Sequence, residues 1–265
     1  MAIKGQEWTF DTVAEEYDKW RPTYVDDLYQ DIFEYSGIAS DCCALEIGIG
    51  TGQATRPILD KGCKVTAIEL GEKLAKIAER NFIDYRNFTV VHSSFEEYNC
   101  PDNMFDLIYS ASAFHWIDEK EGYNKVFRKL KEGGSFARFA SHPFYNIEGQ
   151  EELYERIQAV YFKYMPNSSG AVTPRKIKRY TEEDAERRSE IAKKYGFTEI
   201  STKVYYRDLI YSSEEYIKRL AIESDKIALD DTTRRKLLNG IKEAIEVYGG
   251  TIIVRDMIDL NLARK

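Results

Sequence analysis

Hydrophobic residues in the first part of the chain alternate between helical spacings and short apolar runs. From Tyr24 to Phe33 the apolar side chains fall on one helical face, which predicts an amphipathic helix ending at Gly37. The run at 42–47 is apolar and stops in glycines, as a buried parallel strand does. Further strands are predicted at 64–69, 88–92, 105–110 and 135–140, and helices at 72–81 and 119–130, the last stopped by Gly133 and Gly134. This alternation predicts a doubly wound α/β sheet, whose ligand crevice lies at the carboxyl ends of its strands.

The pattern changes in the second half of the chain. Helices are predicted at 151–164, 182–195, 214–221 and 232–248, with a loop carrying Pro166 and Pro174 after the first of them and strands at 202–210 and 251–260. These helices interrupt the sheet, so we expect one Rossmann-like core with helical cap insertions. The expected division is N-terminal helices at 1–37, a core at 38–140, a helical cap at 141–200, and C-terminal strands at 201–265 with a second insertion at 212–248.

Composition and charge exclude several classes of protein. The 265 residues are 43% hydrophobic, enough for a real core, and no apolar run approaches the ~18 residues of a membrane helix. We therefore expect a soluble, cytoplasmic protein with no membrane partner. The net charge of −7 repels phosphate backbones, so no nucleic-acid partner is expected. The basic cluster at 175–179 is followed at once by acidic residues, which is typical of a solvated surface.

Cysteine and histidine spacing argues against metal and disulfide chemistry. Cys42, Cys43, Cys63 and Cys100 form no CxxC pair, and the three histidines lack HExxH spacing. Neither a disulfide nor a metal site is expected.

A candidate ligand site lies at the end of the first predicted strand. The stretch 45–55 reads LEIGIGTGQAT, with Glu46 near the strand end and glycines at 48, 50 and 52 ahead of a helix. Glycines there allow backbone to approach a ligand, while the helix offers unpaired amides. The dinucleotide fingerprint needs a further glycine where this chain has Gln53, which weakens an NAD-dependent dehydrogenase.

An acidic residue, Glu69, ends the next predicted strand. A carboxylate there can accept hydrogen bonds from both hydroxyls of a ribose. The glycine loop and the acid together indicate a nucleotide-like ligand, although a tight turn with a surface glutamate is the structural alternative.

The glycine loop ExGxGxG, followed by an acid closing the next strand, resembles the first two motifs of class I S-adenosylmethionine-dependent methyltransferases. The stretch 93–96 stands where that family holds adenine, but Ser94 replaces the usual acid. FDLIYSASAFHW at 105–116, LKEGGSFARF at 130–139 and YDKWRP at 17–22 resemble type 11 and trans-aconitate methyltransferases, whose N-terminal segment is a lid over the cofactor. The resemblance is good from Phe10 to about Ala140.

This resemblance implies a seven-stranded, mostly parallel sheet with the last strand antiparallel. It also implies S-adenosyl-L-methionine as the cofactor and S-adenosyl-L-homocysteine as its product. The residues expected to contact the cofactor are Tyr17, Arg21, Glu46, Gly48, Gly50, Gly52, Glu69, Leu70, Ser94, Phe95, Ser110 and Ala111.

Substrate contacts are expected just past the fourth strand and in the N-terminal segment, from Trp20, His115 and Trp116. His115 is the candidate general base, with a simple role in the pocket wall as the alternative. Arg21 and Arg138 can each pair with a carboxylate or lie on the surface.

Methyl transfer is an in-line displacement that needs aligned reactants and little water, so no catalytic triad is required. We expect transfer to a small-molecule acceptor, with an oxygen, above all a carboxylate oxygen, as the favoured target. A non-catalytic cofactor-binding module and a protein or RNA methyltransferase are the alternatives. The Asn/Asp-Pro-Pro-aromatic loop of nucleic-acid amino methyltransferases is replaced here by Ser110, Ala111, Ser112 and Ala113. The chain carries no signal for an oligomeric state.

Overall fold

Seven strands form the central sheet in a computed structural model that describes residues 7–165 and 179–265. They are β1 (Cys43–Ile47), β2 (Lys64–Glu69), β3 (Phe88–His92), β4 (Phe105–Ala111), β5 (Leu130–Phe144), β6 (Thr198–Ser212) and β7 (Thr251–Arg264). Their order across the sheet is β3-β2-β1-β4-β5-β7-β6. Strands β1 to β5 pair in parallel, and β7 is antiparallel, as the Gly133 and Lys265 backbone bonds indicate. The predicted Rossmann-like fold class is confirmed.

Helices connect these strands and pack on the sheet. The α-helices are α1 (Ala14–Trp20), α2 (Asp26–Ser36), α3 (Arg56–Asp60), α4 (Glu72–Asn81), α5 (Glu119–Lys129), α6 (Glu151–Tyr164), α7 (Glu182–Glu190), α8 (Ser213–Ala221), α9 (Ser224–Ile227) and α10 (Asp231–Val247). Short 3₁₀ segments occupy Glu7–Val13, Phe114–Trp116 and Ile191–Tyr195. None of the helices in this described part of the chain is long and apolar enough to cross a membrane.

Apolar layers cover both faces of the sheet around β1 and β4. One layer packs Leu28 and Ile32 of α2 with Leu107 of β4. The other packs Val126 of α5 with Leu45 of β1. Because successive strand residues point to opposite faces, β1 must be apolar on both sides, which is why its sequence reads as a continuous hydrophobic run.

The chain divides into two compact units. The first contains the chain up to Ser141, Thr181–Tyr205 and Ile258–Lys265, and the second contains His142–Tyr180 and Tyr206–Met257. The second unit has its own core, in which Leu153 of α6, Leu220 of α8 and Ile241 of α10 are buried.

This division differs from the expected cap at 141–200, because 181–205 belongs to the first unit. The reason is packing, since Ala192 and Phe197 lie in the apolar layer next to α5. The second insertion was expected at 212–248. The corresponding segment of the second unit is Tyr206–Met257, which begins within β6 and ends within β7.

Several predicted boundaries also change. Gly133 and Gly134 do not stop α5, which ends at Lys129. They lie inside β5, where the amide of Gly133 donates to the carbonyl of Lys265 and the carbonyl of Gly134 accepts from the amide of Lys265, directly after β7. The helix expected at 182–195 is α7 followed by a 3₁₀ segment. The loop with Pro166 and Pro174 lies outside the described residues, as does the basic cluster except for Arg179.

The expectation of no disulfide is wrong, because Cys42 and Cys63 form one, with their Cα atoms 4.6 Å apart. The two residues are 21 positions apart in the sequence, so no short motif marks them. Tertiary structure brings them together, since β1 and β2 are neighbouring parallel strands and the amide of Lys64 donates to the Cys42 carbonyl.

Candidate active site

The loop between β1 and α3 carries the three glycines expected to approach the cofactor. Gly48, Gly50 and Gly52 have φ values of 71°, 61° and 103°, in the region that favours glycine. A Cβ atom at Gly50 would lie 3.2 Å from Cε1 of Tyr17, and one at Gly52 would lie 2.1 Å from Cε2 of Phe82. A Cβ atom at Gly48 would lie 2.4 Å from Cβ of Ala113. The loop therefore admits no side chain at these positions and presents bare backbone at the carboxyl edge of the sheet.

Glu69 ends β2 directly beside this loop. One carboxylate oxygen accepts a hydrogen bond from the amide of Gly50 at 2.8 Å, and the other accepts one from the amide of Gly71 at 2.9 Å. Burial raises the pKa of Glu69, while hydrogen bonds from the backbone of Gly71, Gly50 and Leu70 lower it. A carboxylate has about four lone-pair sites. Glu69 thus fixes the loop and retains capacity to accept hydroxyl hydrogens.

Glu46 was also expected to contact the cofactor, but only 1% of the residue is exposed. One oxygen of its carboxyl group accepts hydrogen bonds from the hydroxyls of Thr55, at 2.7 Å, and Tyr109, at 2.8 Å. Burial raises the pKa of Glu46 to about 7, against the lowering effect of these two bonds. Glu46 therefore supports the loop by tying Thr55, at its far end, to Tyr109 of β4, and its role as a cofactor contact stays a prediction.

The N-terminal segment lies against the glycine loop. The ring of Tyr17 is at van der Waals distance from Gly50 and makes an edge-to-face pair with Phe10, with centroids 5.6 Å apart. Phe10 is in turn 6.3 Å from Trp116, in the 3₁₀ turn after β4. The guanidinium carbon of Arg21 lies 5.7 Å from the centroid of Tyr17. An aromatic wall therefore joins α1 to the end of β4.

His115 neighbours this wall, since its ring centroid is 4.9 Å from that of Trp116. Its side chain is exposed on the short 3₁₀ turn. Trp20 lies at the end of α1, where the Lys19 ammonium is 5.4 Å from its ring centroid. The structure thus brings Tyr17, Arg21, His115 and Trp116 into one region.

The remaining expected cofactor residues lie at the ends of neighbouring strands. The Ser110 hydroxyl is buried and donates to the Ile47 carbonyl at 2.9 Å, which ties β4 to β1. Ala111 is half-buried at the end of β4, and the Leu70 residue is 43% exposed. The Ser94 hydroxyl accepts a hydrogen bond from the amide of Glu97 at 3.1 Å, so it caps its own turn.

Phe95 is 4% exposed, and its side chain packs in the apolar layer beside α5. Its carbonyl oxygen accepts a hydrogen bond from the ammonium of Lys125 at 2.6 Å. This contact fixes the turn after β3 where the adenine is expected.

Two polar residues that the sequence analysis did not single out hold the N-terminal segment in place. One carboxylate oxygen of Asp11 accepts from the amides of Lys73, at 2.6 Å, and Leu74, at 3.0 Å, and so caps α4. The Asn81 amide group donates to Asp18, at 2.8 Å, and to the carbonyl of Thr51, at 3.0 Å. The helical spacing of Asp11, Glu15 and Asp18 is the signal by which this polar face was recognisable.

Within residues 7–165 and 179–265, no group of three His, Cys, Asp or Glu side chains is placed to hold a metal ion. The chemistry of the site therefore rests on carboxylates, backbone amides and aromatic rings.

Sequence comparison agrees with this geometry. The family model described as "Methyltransferase domain" matches residues 45–137, from β1 to β5. An uncharacterized methyltransferase from Bacillus licheniformis is 30% identical over 147 residues, which are 50% of this chain and 68% of that protein. The malonyl-[acyl-carrier protein] O-methyltransferase of a Paenibacillus species is 28% identical over 233 residues, 84% of this chain and 80% of that protein. A Dictyostelium discoideum protein named as a methyltransferase is 33% identical over 127 residues, which are 48% of this chain and 46% of that protein.

A solved structure named as a type II methyltransferase from Anaeromyxobacter dehalogenans has the same fold. Its TM-score is 0.61 at 19% sequence identity, over 92% of this chain and 97% of that one. The chain is a methyltransferase by fold and sequence. It belongs to the class I S-adenosylmethionine-dependent methyltransferases. The narrower resemblance to trans-aconitate methyltransferases stays a prediction.

Proposed function

We propose that this chain transfers a methyl group from S-adenosylmethionine to an oxygen atom of a small acceptor, with a carboxylate oxygen as the favoured target. The observation that carries the proposal is the arrangement of Glu69, whose two carboxylate oxygens join Gly50 of the loop to Gly71 beyond β2. This arrangement places the Glu69 carboxylate, which can accept hydrogen bonds from hydroxyl groups, beside the backbone of the glycine loop. The donor set fits the cofactor, because a ribose carries two hydroxyl donors and the Glu69 carboxylate has lone pairs beyond those that Gly50 and Gly71 use.

Each part of the cofactor has residues of this chain to hold it. Glu69 would accept hydrogen bonds from the ribose hydroxyls, and the backbone at Gly48, Gly50 and Gly52 would lie against the ligand. The guanidinium of Arg21 would pair with the carboxylate of the methionine portion. The expected adenine contacts are Ser94, Phe95 and Leu70, and Ser110 and Ala111 would border the crevice at the end of β4.

When bound, S-adenosylmethionine supplies a methyl group made electrophilic by its sulfonium. The aromatic faces of Tyr17 and Trp116 attract a cation and exclude water. An acceptor carboxylate is already ionised at neutral pH, because its ordinary pKa is about 4, so no proton has to be removed. For such an acceptor His115 would contact the substrate as part of the wall. For a hydroxyl acceptor the same residue would be the proton acceptor.

Support for an oxygen target comes from the Paenibacillus relative, whose name describes O-methylation of a malonyl group and which aligns with 84% of this chain. Trp20, His115 and Trp116 remain the proposed substrate contacts. A cytoplasmic location also remains a prediction.

A methyl-transfer assay tests the proposal. The purified chain is incubated with S-adenosylmethionine carrying a labelled methyl group and a panel of small carboxylic acids, and labelled products are then treated with mild alkali. We expect label that is released as methanol, because esters hydrolyse under these conditions whereas N-methyl groups do not. Gly50→Val, which places a branched side chain against Tyr17, is expected to abolish both cofactor binding and transfer.

Alkali-stable label would contradict the carboxylate target, because methyl ethers and N-methyl groups survive this treatment whereas methyl esters do not. Cofactor binding without transfer to any acid, together with labelling of added protein or RNA, would favour a macromolecular substrate. Cofactor binding without any transfer would favour a non-catalytic module.

A further inference from the structure

Ser112 has a backbone conformation that is uncommon for a residue with a side chain. It directly follows β4, at the carboxyl edge of the sheet, and its φ of 55° lies in the left-handed region. This conformation costs free energy in a non-glycine residue, because its Cβ atom comes close to the following carbonyl oxygen. Such residues persist only where surrounding contacts hold them, and they cluster at functional sites. The contacts of Ser112 therefore indicate what its conformation is for.

Three hydrogen bonds hold Ser112 in this conformation. Its amide donates to the carbonyl of Phe139 in β5, at 2.8 Å. Its hydroxyl oxygen accepts from the amide of Ser141, at 3.3 Å, and forms a hydrogen bond of 2.9 Å with the hydroxyl of Tyr24. The first two bonds join the end of β4 to β5, and the third joins it to the segment between α1 and α2.

The turn after Ser112 lies directly on the glycine loop. A Cβ atom at Gly48 would be 2.4 Å from the Cβ atom of Ala113, so these two residues are in close contact. Further along the turn, the ring centroid of Trp116 is 6.3 Å from that of Phe10. Because φ and ψ are the only soft backbone angles of a residue, a change at Ser112 would move Ala113 off the loop and shift Trp116 with it.

Tyr24 connects the N-terminal segment to the same turn. Its side chain is buried, and its ring packs edge-to-face on Phe139 with centroids 4.8 Å apart. The segment is fixed at its other end by Asp11, which caps α4. Between these two anchors lies α1, with Tyr17 against the glycine loop. The bond from Tyr24 to Ser112 therefore joins the helix on the cofactor cradle to the turn with the proposed acceptor contacts.

We propose that Ser112 is a positioning residue for methyl transfer, which sets the Phe114–Trp116 turn against the glycine loop and couples it to the N-terminal segment through Tyr24. This inference rests on the proposed function and adds to it a residue that acts through the turn. In-line displacement tolerates little misalignment of the acceptor and the methyl group. Displacement of the turn should therefore lower the rate of transfer far more than the affinity for the cofactor.

Amide hydrogen exchange, measured by NMR on the protein saturated with S-adenosylhomocysteine, tests this role without an acceptor. The reporter in the turn is the amide of Trp116, which donates to the carbonyl of Ala113 at 3.0 Å. The reporter in the N-terminal segment is the amide of Arg21, which donates to the carbonyl of Tyr17 at 3.0 Å. In Ser112→Ala we expect both amides to exchange about 5- to 10-fold faster, as for the loss of one hydrogen bond.

Tyr24→Phe tests the coupling, because it removes the phenolic oxygen and keeps the ring. It should speed exchange of the Trp116 amide by a similar factor. In Tyr24→Phe/Ser112→Ala the effect should be smaller than the product of the two single effects, because both changes break the same hydrogen bond. Tyr35→Phe is the matched control, since it removes another hydrogen-bonded phenol, which donates to the carbonyl of Glu199 at 2.7 Å. It should leave exchange in the turn unchanged.

Ser112→Gly separates positioning from a purely structural role. Glycine adopts the φ of 55° without the Cβ penalty, which offsets part of the stability lost with the hydroxyl. We expect affinity for S-adenosylhomocysteine within about 2-fold of wild type in calorimetry. Transfer to the acid of the panel that the wild type methylates fastest should fall about 10-fold at saturating cofactor. A loss of folded protein would instead lower binding stoichiometry and transfer together.

Unchanged exchange of the Trp116 amide in Ser112→Ala would overturn the positioning role, and equal transfer rates in Ser112→Gly and wild type would overturn it as well. Fully multiplicative effects of Tyr24→Phe and Ser112→Ala would overturn the coupling. Failure of the proposed function is distinguishable, because the wild type would then transfer no methyl group to any acid. The exchange measurements need no acceptor and would still decide whether Ser112 holds the turn.

Discussion

Two glutamates at the ends of adjacent strands illustrate how position decides the role of a residue. Glu46 and Glu69 are both largely buried, and burial raises the pKa of both. Glu69 accepts hydrogen bonds from backbone amides on either side of the crevice, whereas Glu46 accepts them from two hydroxyls in the interior. The first arrangement leaves a carboxylate beside the glycine loop, as the proposed ribose contact requires, and the second holds the loop together.

Glu69→Gln tests the first role. Glutamine keeps one acceptor oxygen but turns an amide group towards a backbone N–H, so the loop loses a hydrogen bond and the ribose loses a charged acceptor. We expect affinity for S-adenosylhomocysteine to fall about 10- to 100-fold in calorimetry. Glu72→Gln, on the exposed start of α4 three residues away, should leave the affinity unchanged. Equal affinity in wild type and Glu69→Gln would remove Glu69 from the site.

Glu46→Gln tests the second role through pH. The folded-state pKa of about 7 lies above the ordinary value of 4.5, so the native state holds a proton that the unfolded state releases between these values. Wild-type stability therefore falls as pH rises through this window, while the neutral glutamine escapes the penalty. The free energy of unfolding of Glu46→Gln relative to wild type should rise between pH 5 and pH 8, by at most about 3 kcal/mol. Parallel pH profiles of urea unfolding would contradict the buried, protonated Glu46.

At the level of elements, the N-terminal segment is held on α4 by both apolar and polar contacts. Ala14 packs with Leu74 and Ile77, and Asp11 caps α4. Because Tyr17 lies on the glycine loop, this docking connects the position of α1 to the cofactor cradle.

Asp11→Ala is expected to loosen that docking. Loss of the cap should cost about 1 kcal/mol and speed amide hydrogen exchange in α1. Affinity for S-adenosylhomocysteine should fall severalfold as Tyr17 leaves the loop. Glu16→Ala, an exposed acidic residue on α1, is the matched control and should change neither quantity. Unaltered exchange in Asp11→Ala would show that apolar packing alone holds the segment.

Packing of the glycine loop against α4 predicts a contrast between two glycines with positive φ. A Cβ atom at Gly52 would clash with the Phe82 ring, whereas one at Gly133 would meet open space. Gly133→Ala should cost only backbone strain of about 1 kcal/mol, and Gly52→Ala about 2 to 4 kcal/mol because overpacking is added. Urea unfolding of both variants measures the difference, and equal losses would exclude the Phe82 contact as its cause.

At the level of the whole molecule, the net charge of −7 shapes the choice of partners. A negative field lowers the local concentration of phosphate backbones and raises that of cations. A recognition site for anions must therefore overcome this field locally.

A nucleic-acid titration checks the effect of the overall field. Fluorescence anisotropy with a labelled 20-nucleotide RNA in about 150 mM salt should show no saturable binding below about 100 µM protein. Tight binding that weakens steeply with added salt would contradict this expectation and restore an RNA substrate to consideration.

Local patterns in the chain were enough to predict several elements of the core and to single out the glycine loop and Glu69 as the candidate cofactor site. β2, β3, α4 and α6 have the predicted bounds, because hydrophobic periodicity and glycine placement are properties of neighbouring residues. The family motifs likewise lie in continuous stretches, which explains why Glu69 and the glycine loop were recognisable.

Contacts between distant segments could be seen only in three dimensions. The Cys42–Cys63 bond and the hydrogen bonds of Glu46 with Thr55 and Tyr109 join residues whose spacing carries no periodic signal. The helical spacing of Asp11 marks a polar face, but it does not show that this face caps α4. The inclusion of 181–205 in the first unit has the same origin. Periodicity reports which side of an element is buried, but the partner on that side depends on how strands and helices pack together.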